Sequence, residues 1–131
     1  MNTHPTILAL DASSTTLGYC LYAGAVLAHG EHKLAGGADI ACRCQTAYDI
    51  LALLLTRYPE CDVVAIESPA SRFKKSLIPQ CRVAGALLTV CAQHWKPVCE
   101  VSPTAAKFAL AGMGGASKET MMARASAYGV L

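Results

Sequence analysis

Three observations predict an α/β domain with a mixed five-stranded sheet flanked by helices. Short apolar, β-rich runs alternate with longer segments of helical periodicity. The first three runs follow one another through tight turns, as an antiparallel meander does. The later runs are separated by helical stretches, the connection that parallel strands require. A chain of 131 residues makes one such domain, spanning 1–131, and buries roughly two-thirds of its unfolded surface.

Taken in order, Ile7 to Leu10 form the first strand and Leu17 to Tyr22 the second. The turn Ala23-Gly24 leads into a third strand from Ala25 to Lys33, after which Gly36-Gly37 break the chain. From Asp39, a residue whose side chain caps helices, apolar residues recur at Ile40, Cys44, Ala47, Leu51, Leu54 and Leu55. That i, i+4, i+7, i+11 stripe marks a helix lying on the sheet and ending at Tyr58-Pro59. Val63 to Ile66 lack alternation, as a parallel strand buried on both faces does, and Glu67 ends the run. A second helix is expected from about Pro79 to His94, with Pro79 tolerated in its first turn. Gly85 and Ala86 on it permit close approach of a neighbour. Pro97 to Val101 form the fifth strand. Ser102-Pro103 opens a helix through Lys107 and Phe108 to Ala111, with Gly112 just past its end. Ser117 caps a last helix through Met121, Met122 and Ala125 that stops near Gly129. The order β-β-β-α-β-α-β-α-α points to a ribonuclease H-like architecture.

Hydrophobic content of 53% with 15% charged residues excludes a disordered chain. Apolar stretches are interrupted by Gly, Pro, Ser or Thr, so no membrane helix is expected, and the N-terminus lacks the cationic start of a secretory signal. The expected location is the cytoplasm. Seven cysteines without a C-x-x-C pair read as reduced core or near-core residues rather than as disulfide or zinc ligands. Charge is uneven along the chain: residues 1–67 hold three Lys/Arg against seven Asp/Glu, net −4, and residues 68–131 hold eight against two, net +6. An acidic edge beside a basic surface suits a polyanion held over metal ions.

Asp11 follows the apolar run of the first strand and precedes the hydroxyl residues Ser13, Ser14, Thr15 and Thr16. A carboxylate at the rim of a sheet is hydrated, paired or bound to a metal, and the next Lys or Arg in the chain is Lys33. Taken singly, Asp11 also reads as a turn-initiating Asp and Glu67 as a surface residue ending a strand. Together they carry more. A crossover through the first helix returns the fourth strand beside the first, so that Asp11 and Glu67 emerge at the carboxyl ends of neighbouring parallel strands, where open α/β sheets bind ligands. Two facing carboxylates repel unless a proton or divalent cation lies between them. Two Mg²⁺ ions about 3.5–4 Å apart would serve phosphodiester hydrolysis.

At this point the residues resemble a known family. Ile7-Leu8-Ala9-Leu10-Asp11-Ala12-Ser13-Ser14 with Gly18-Tyr19, Val64-Ala65-Ile66-Glu67, Gly85-Ala86-Leu87, Pro97-Val98, Lys107, Gly112-Met113-Gly114 and Ser117-Lys118 are similar in order and spacing to RuvC-type Holliday junction resolvases, particularly phage-like members. The resemblance spans essentially the whole chain. It implies a Mg²⁺-dependent endonuclease, with Mn²⁺ able to substitute, that cuts four-way junctions or other branched DNA as a homodimer. It makes Asp11 and Glu67 the first two metal-binding, catalytic carboxylates. Lys107 and Lys118 match basic residues that contact DNA near the active site, and Arg72, Lys74 and Lys75 fall in the loop after the catalytic Glu that approaches the junction. Two departures accompany it. No aromatic closely follows Glu67 to wedge the junction open, leaving Phe73 to stack in that role. Members also carry two further acidic residues, or an acidic residue and a His, on a closing helix that would begin where this chain stops, so two of four ligands are expected here. The alternatives are a nuclease-inactive branched-DNA-binding module of the same fold and an actin-like or tRNA-modification protein.

Overall fold

The computed structural model describes residues 4–34, 37, 39–70, 74–104 and 117–126. Its strands are β1 (Ile7–Ala12), β2 (Thr16–Tyr22), β3 (Val26–Lys33), β4 (Val63–Glu67) and β5 (Val98–Val101). The helices are α1 (Ile40–Arg57), α2 (Lys74–Gln93) and α3 (Lys118–Ser126). One sheet joins all five strands in the order β3-β2-β1-β4-β5, the mixed sheet of a ribonuclease H-like fold. β1, β2 and β3 form the antiparallel meander, with Gly24 taking the left-handed φ of 76° in the turn before β3. β4 pairs parallel to β1, Leu8 beside Val64 and Leu10 beside Ile66, and β5 pairs parallel to β4. Both parallel additions follow a helix, α1 before β4 and α2 before β5, as sequence periodicity required.

Alternation sorts the strands into two faces. Leu8, Leu10, Leu17, Leu21, Val64 and Ile66 are buried on one. Against them α1 sets Ala47, Leu51, Leu54 and Leu55, and α2 sets Val83, Leu87, Val90 and Cys91. Each fully buried leucine contributes about 1.5–3 kcal/mol, so this single cluster holds the layers together. α1 begins where Asp39 accepts a 2.9 Å bond from the Ala41 amide, and it closes through the Tyr58 amide bonded to the Leu54 carbonyl at 2.8 Å. The second face carries Ile7, Ala9 and Asp11 of β1 with Val63, Ala65 and Glu67 of β4, partly or fully exposed.

Several boundaries differ from the sequence expectation. β1 runs two residues further, to Ala12, because the Ser13 hydroxyl accepts from the Thr15 and Thr16 amides at 3.1 and 3.0 Å and tightens the hairpin. α2 begins at Lys74, five residues before the expected Pro79, and carries that proline inside the helix. The missing Pro79 N–H leaves the Lys75 carbonyl without its helical donor, and Lys74, Lys75 and Ser76 are all exposed, so water can reach that turn. Of the helix expected from Ser102, Pro103 and Thr104 are helical and the remainder lies outside the described residues. In α3 the expected cap is present: the Thr120 amide donates to Ser117 Oγ at 3.2 Å. The cysteines are free thiols, but only Cys61 and Cys91 are buried. Cys42, Cys81 and Cys99 are exposed, which corrects their reading as core or near-core residues. Helical and strand periodicity put each of these three on an outward face.

Candidate functional site

β1 and β4 fix the two carboxylates. Leu10 is the Cα partner of Ile66, so Asp11 and Glu67 stand one residue further along the same two strands, at their shared carboxyl end. Adjacent strands lie about 5 Å apart, which sets the spacing of the two backbones there. Both residues fall on the sheet face away from α1 and α2, because alternation turns them opposite to Leu10 and Ile66. Asp11 is exposed and Glu67 half-buried.

Two local features hold this rim. Across β1, Asp11 pairs with Gly18, where an added Cβ would sit in ordinary van der Waals contact 3.7 and 3.9 Å from the Asp11 carbonyl oxygen and Cβ. Beyond Glu67, the Ser68 amide donates to the Val101 carbonyl at 2.8 Å and ties the outgoing chain to β5. The pair opens into a cleft of about 200 Å³. Asp11, Ala12 and Ser13 line one side, Glu67 to Ala70 another, and Gln80 and Pro103 complete the wall.

Two carboxylates, serine hydroxyls and the Gln80 amide, set among Ala12, Pro69, Ala70 and Pro103, give oxygen and nitrogen donors suited to a hard cation with several of its own waters. Among the described residues no group of three or more His, Cys, Asp or Glu side chains is placed to hold a metal ion. The described cleft therefore offers two acidic ligands. Glu31 is a third carboxylate on the same rung, aligned through Gly18 and two strands from Asp11, roughly 10 Å away at the backbone. It faces a broader cavity of about 480 Å³ on the open sheet face, together with His29, Cys20 and Asp11.

Of the basic residues expected near the site, Lys74 and Lys75 are exposed in the first turn of α2, not in a loop. That helix passes the cleft at Gln80. Lys118 is the first residue of α3. Arg72, Phe73 and Lys107 lie outside the described residues. Sequence reasoning missed Gln80 and Glu31. A lone glutamine on a helix carries no motif, whereas Glu31 could have been found by counting the β2–β3 register back from its turn.

The thiols near the sheet are chemically quiet. Burial pushes Cys20 and Cys61 above the usual thiol range and Cys91 up to about 11, so none is a poised thiolate. No helix among the described residues is long and apolar enough to cross a membrane.

No family model matches the sequence. Among solved structures, Thermus thermophilus RuvC in complex with a Holliday junction substrate is similar at a TM-score of 0.84 and 23% identity, over 95% of this chain and 79% of that one. Thermus thermophilus RuvC alone matches at 0.79 and 21% identity, over 94% and 79%. The yeast mitochondrial Holliday junction resolvase matches at 0.63 and 12% identity, over 83% of this chain and 58% of that chain. These likenesses establish a RuvC-type resolvase fold.

Proposed function

We propose that this chain is a divalent-metal-dependent endonuclease acting on four-way junctions or other branched DNA. The observation that carries the reading is the meeting of Asp11 and Glu67 at one end and on one face of adjacent parallel strands, opening into a single cleft, within a resolvase fold. Asp11 and Glu67 would hold Mg²⁺, or Mn²⁺ in its place. When bound, such ions activate water and stabilise the leaving oxygen of a phosphodiester.

The chain's own groups supply the remainder. Lys74 and Lys75 sit at the positive end of the α2 dipole, where phosphate is favoured both by their charge and by the helix dipole. Gln80, one to two turns further along, offers an amide donor and acceptor inside the cleft. Arg72, Lys107 and Lys118 extend the phosphate contacts, and Phe73 stacks on an unpaired base at the branch. A second, apolar depression lined by Ala9, Leu10, Ala65, Ile66 and Val101 adjoins Glu67 on the side away from the cleft's polar wall. A two-fold junction calls for two such clefts, which a homodimer provides, and the DNA-processing role is one performed in the cytoplasm.

A second reading is favoured by the presence of only two acidic ligands among the described residues: a nuclease-inactive module that binds branched DNA. Incubating the chain with a labelled four-way junction, with Mg²⁺ or with EDTA, separates the two. Cuts that require Mg²⁺ and vanish in Asp11→Asn support the endonuclease, while tight binding without cuts supports the module. Equal affinity for linear duplex and junction refutes both.

A further inference from the structure

The side of α2 turned towards the sheet carries Val83, Ala84, Leu87, Val90 and Cys91, all buried. Residues three and four apart share one side of a helix, so Gln80, three before Val83 and four before Ala84, belongs to the same stripe. It is the polar member of an otherwise apolar series. A carboxamide placed there loses water without gaining a partner: Gln80 is half-buried, and no hydrogen bond joins its side chain to a described residue. Leucine or methionine would serve the helix and its packing as well. Neither burial nor helix propensity therefore accounts for a glutamine at this point.

The cleft does. Val83 and the residues after it meet the sheet, whereas Gln80 meets the cleft at the carboxyl ends of β1 and β4, which Asp11 and Glu67 also line. Other side-chain donors in that cleft are few, since four of its lining residues are alanine or proline. Ser13 is already committed, because its hydroxyl oxygen accepts from the Thr15 and Thr16 amides at 3.1 and 3.0 Å, one for each lone pair. Ser68 offers a single hydroxyl on the chain leaving β4, while Gln80 brings a carbonyl oxygen on a helix anchored in the core.

Size and charge limit what the cleft can hold. Its volume of about 200 Å³ equals about six or seven waters at ~30 Å³ each, room for one octahedral cation with its shell of oxygens. Two carboxylates balance one divalent cation, and a carboxamide adds an oxygen without adding charge. Hard cations accept carbonyl oxygens beside carboxylates and water.

We infer that Gln80, through its carbonyl oxygen, is the third protein ligand of a single divalent cation held by Asp11 and Glu67. The inference rests on the metal-binding part of the proposed function, and its test needs no cleavage. Calorimetric titration of the full chain with Mn²⁺, without DNA, should show one ion taken up per chain. Gln80→Leu should raise the Mn²⁺ Kd about tenfold, the lower end of what removing a supporting group from a metal site costs. Its metal-free urea midpoint should stay the same or rise, because an unpaired amide has left the apolar stripe. That pair of results separates a ligand from a structural residue, whose loss lowers the midpoint. Gln80→Glu keeps the oxygen and adds a charge, so it should lower the Kd by about tenfold. An Mn²⁺ Kd unchanged in Gln80→Leu, or two ions taken up per chain, would overturn the inference. Weaker binding of a four-way junction in EDTA by Gln80→Leu, with its Mn²⁺ Kd unchanged, would overturn it in favour of a phosphate contact. A chain that cuts junctions and binds Mn²⁺ independently of Gln80 sinks the inference and leaves the endonuclease reading standing. Gln80-dependent binding in a chain that never cuts does the reverse, and a wild type that takes up no Mn²⁺ refutes both.

Discussion

Asp11→Asn separates a metal ligand from a structural turn residue, because the two roles predict opposite changes in stability. Asp11 and Glu67 stand on adjacent strands whose backbones lie about 5 Å apart, and two carboxylates held at about that spacing would repel by about 0.8 kcal/mol in a water-like dielectric. The substitution keeps the size of the side chain and removes its charge, so the metal-free fold should be unchanged or stabilised by up to ~1 kcal/mol. For a domain of this length that is a rise in Tm of up to roughly 3–5 °C. Mg²⁺ at ten times its Kd should then stabilise the wild type by about 1.4 kcal/mol and the variant by much less. The assay is a pair of thermal melts followed by circular dichroism, with EDTA and with Mg²⁺. The expected result is a crossing: the variant at or above wild type without metal, and below it with metal. Glu31→Gln is the control, since it removes the same charge from the same face two strands away and should show no crossing. A variant already less stable in EDTA would refute the metal role, because the Asp11 carboxylate would then be supporting the turn. Equal stabilisation of both proteins by Mg²⁺ would refute it too.

Further outcomes test the fold and the DNA surface. Leu87→Ala removes a side chain with no solvent exposure and should cost about 2–5 kcal/mol, read as a lower urea midpoint. Lys74→Ala with Lys75→Ala should weaken junction binding and lower the slope of log K against log salt by roughly two units, one for each phosphate no longer neutralised; an unchanged slope returns both residues to solvated helix lysines. The Asp39 carboxylate is held below its usual range by the Cys42 thiol and by the Ala41 and Cys42 amides at the start of α1. A depressed folded-state pKa contributes stability above the unfolded-state value, and that contribution disappears as pH falls through the folded-state value. Acid titration of stability should therefore lose slope below about pH 4 in Asp39→Asn relative to wild type. In timed alkylation read by mass spectrometry, Cys81 and Cys99 should label first, Cys42 later because its bond to Asp39 raises its pKa, and Cys61 and Cys91 only on unfolding.

How far the sequence could be read depended on the range of the interaction behind each feature. The N-cap at Asp39, the α1 stripe and the alternation of faces arise from neighbours within four residues, and each is found where local rules place it. The juxtaposition of Asp11 and Glu67 needed only one long-range step, the return of β4 beside β1, and parallel connections leave few alternatives for it. The start of α2 departs from expectation because a proline usually marks the first turn of a helix, and here it does not. Lys74 and Lys75 continue the helix upstream in a turn exposed enough for water to take up the unpaired carbonyl. Gln80 was illegible for a different reason: its role in the cleft comes from where α2 lies on the sheet, which no local pattern encodes.

The same distinction explains why α2 matters beyond its share of the core. The acidic half of the chain builds β1 to β4 and supplies both carboxylates, while the basic half begins after Glu67 and enters the fold through α2. Near its start this helix flanks the cleft at Gln80 and carries Lys74 and Lys75, and along its inner side it anchors the sheet. A helix joining core to cleft means that a change in how α2 sits on Leu8, Leu10 and Ile66 moves the cations relative to Asp11 and Glu67. Substitutions in that inner packing, such as Val83→Ala, should therefore lower junction affinity although they touch neither a carboxylate nor a lysine, and an unchanged affinity in a folded variant would refute the coupling.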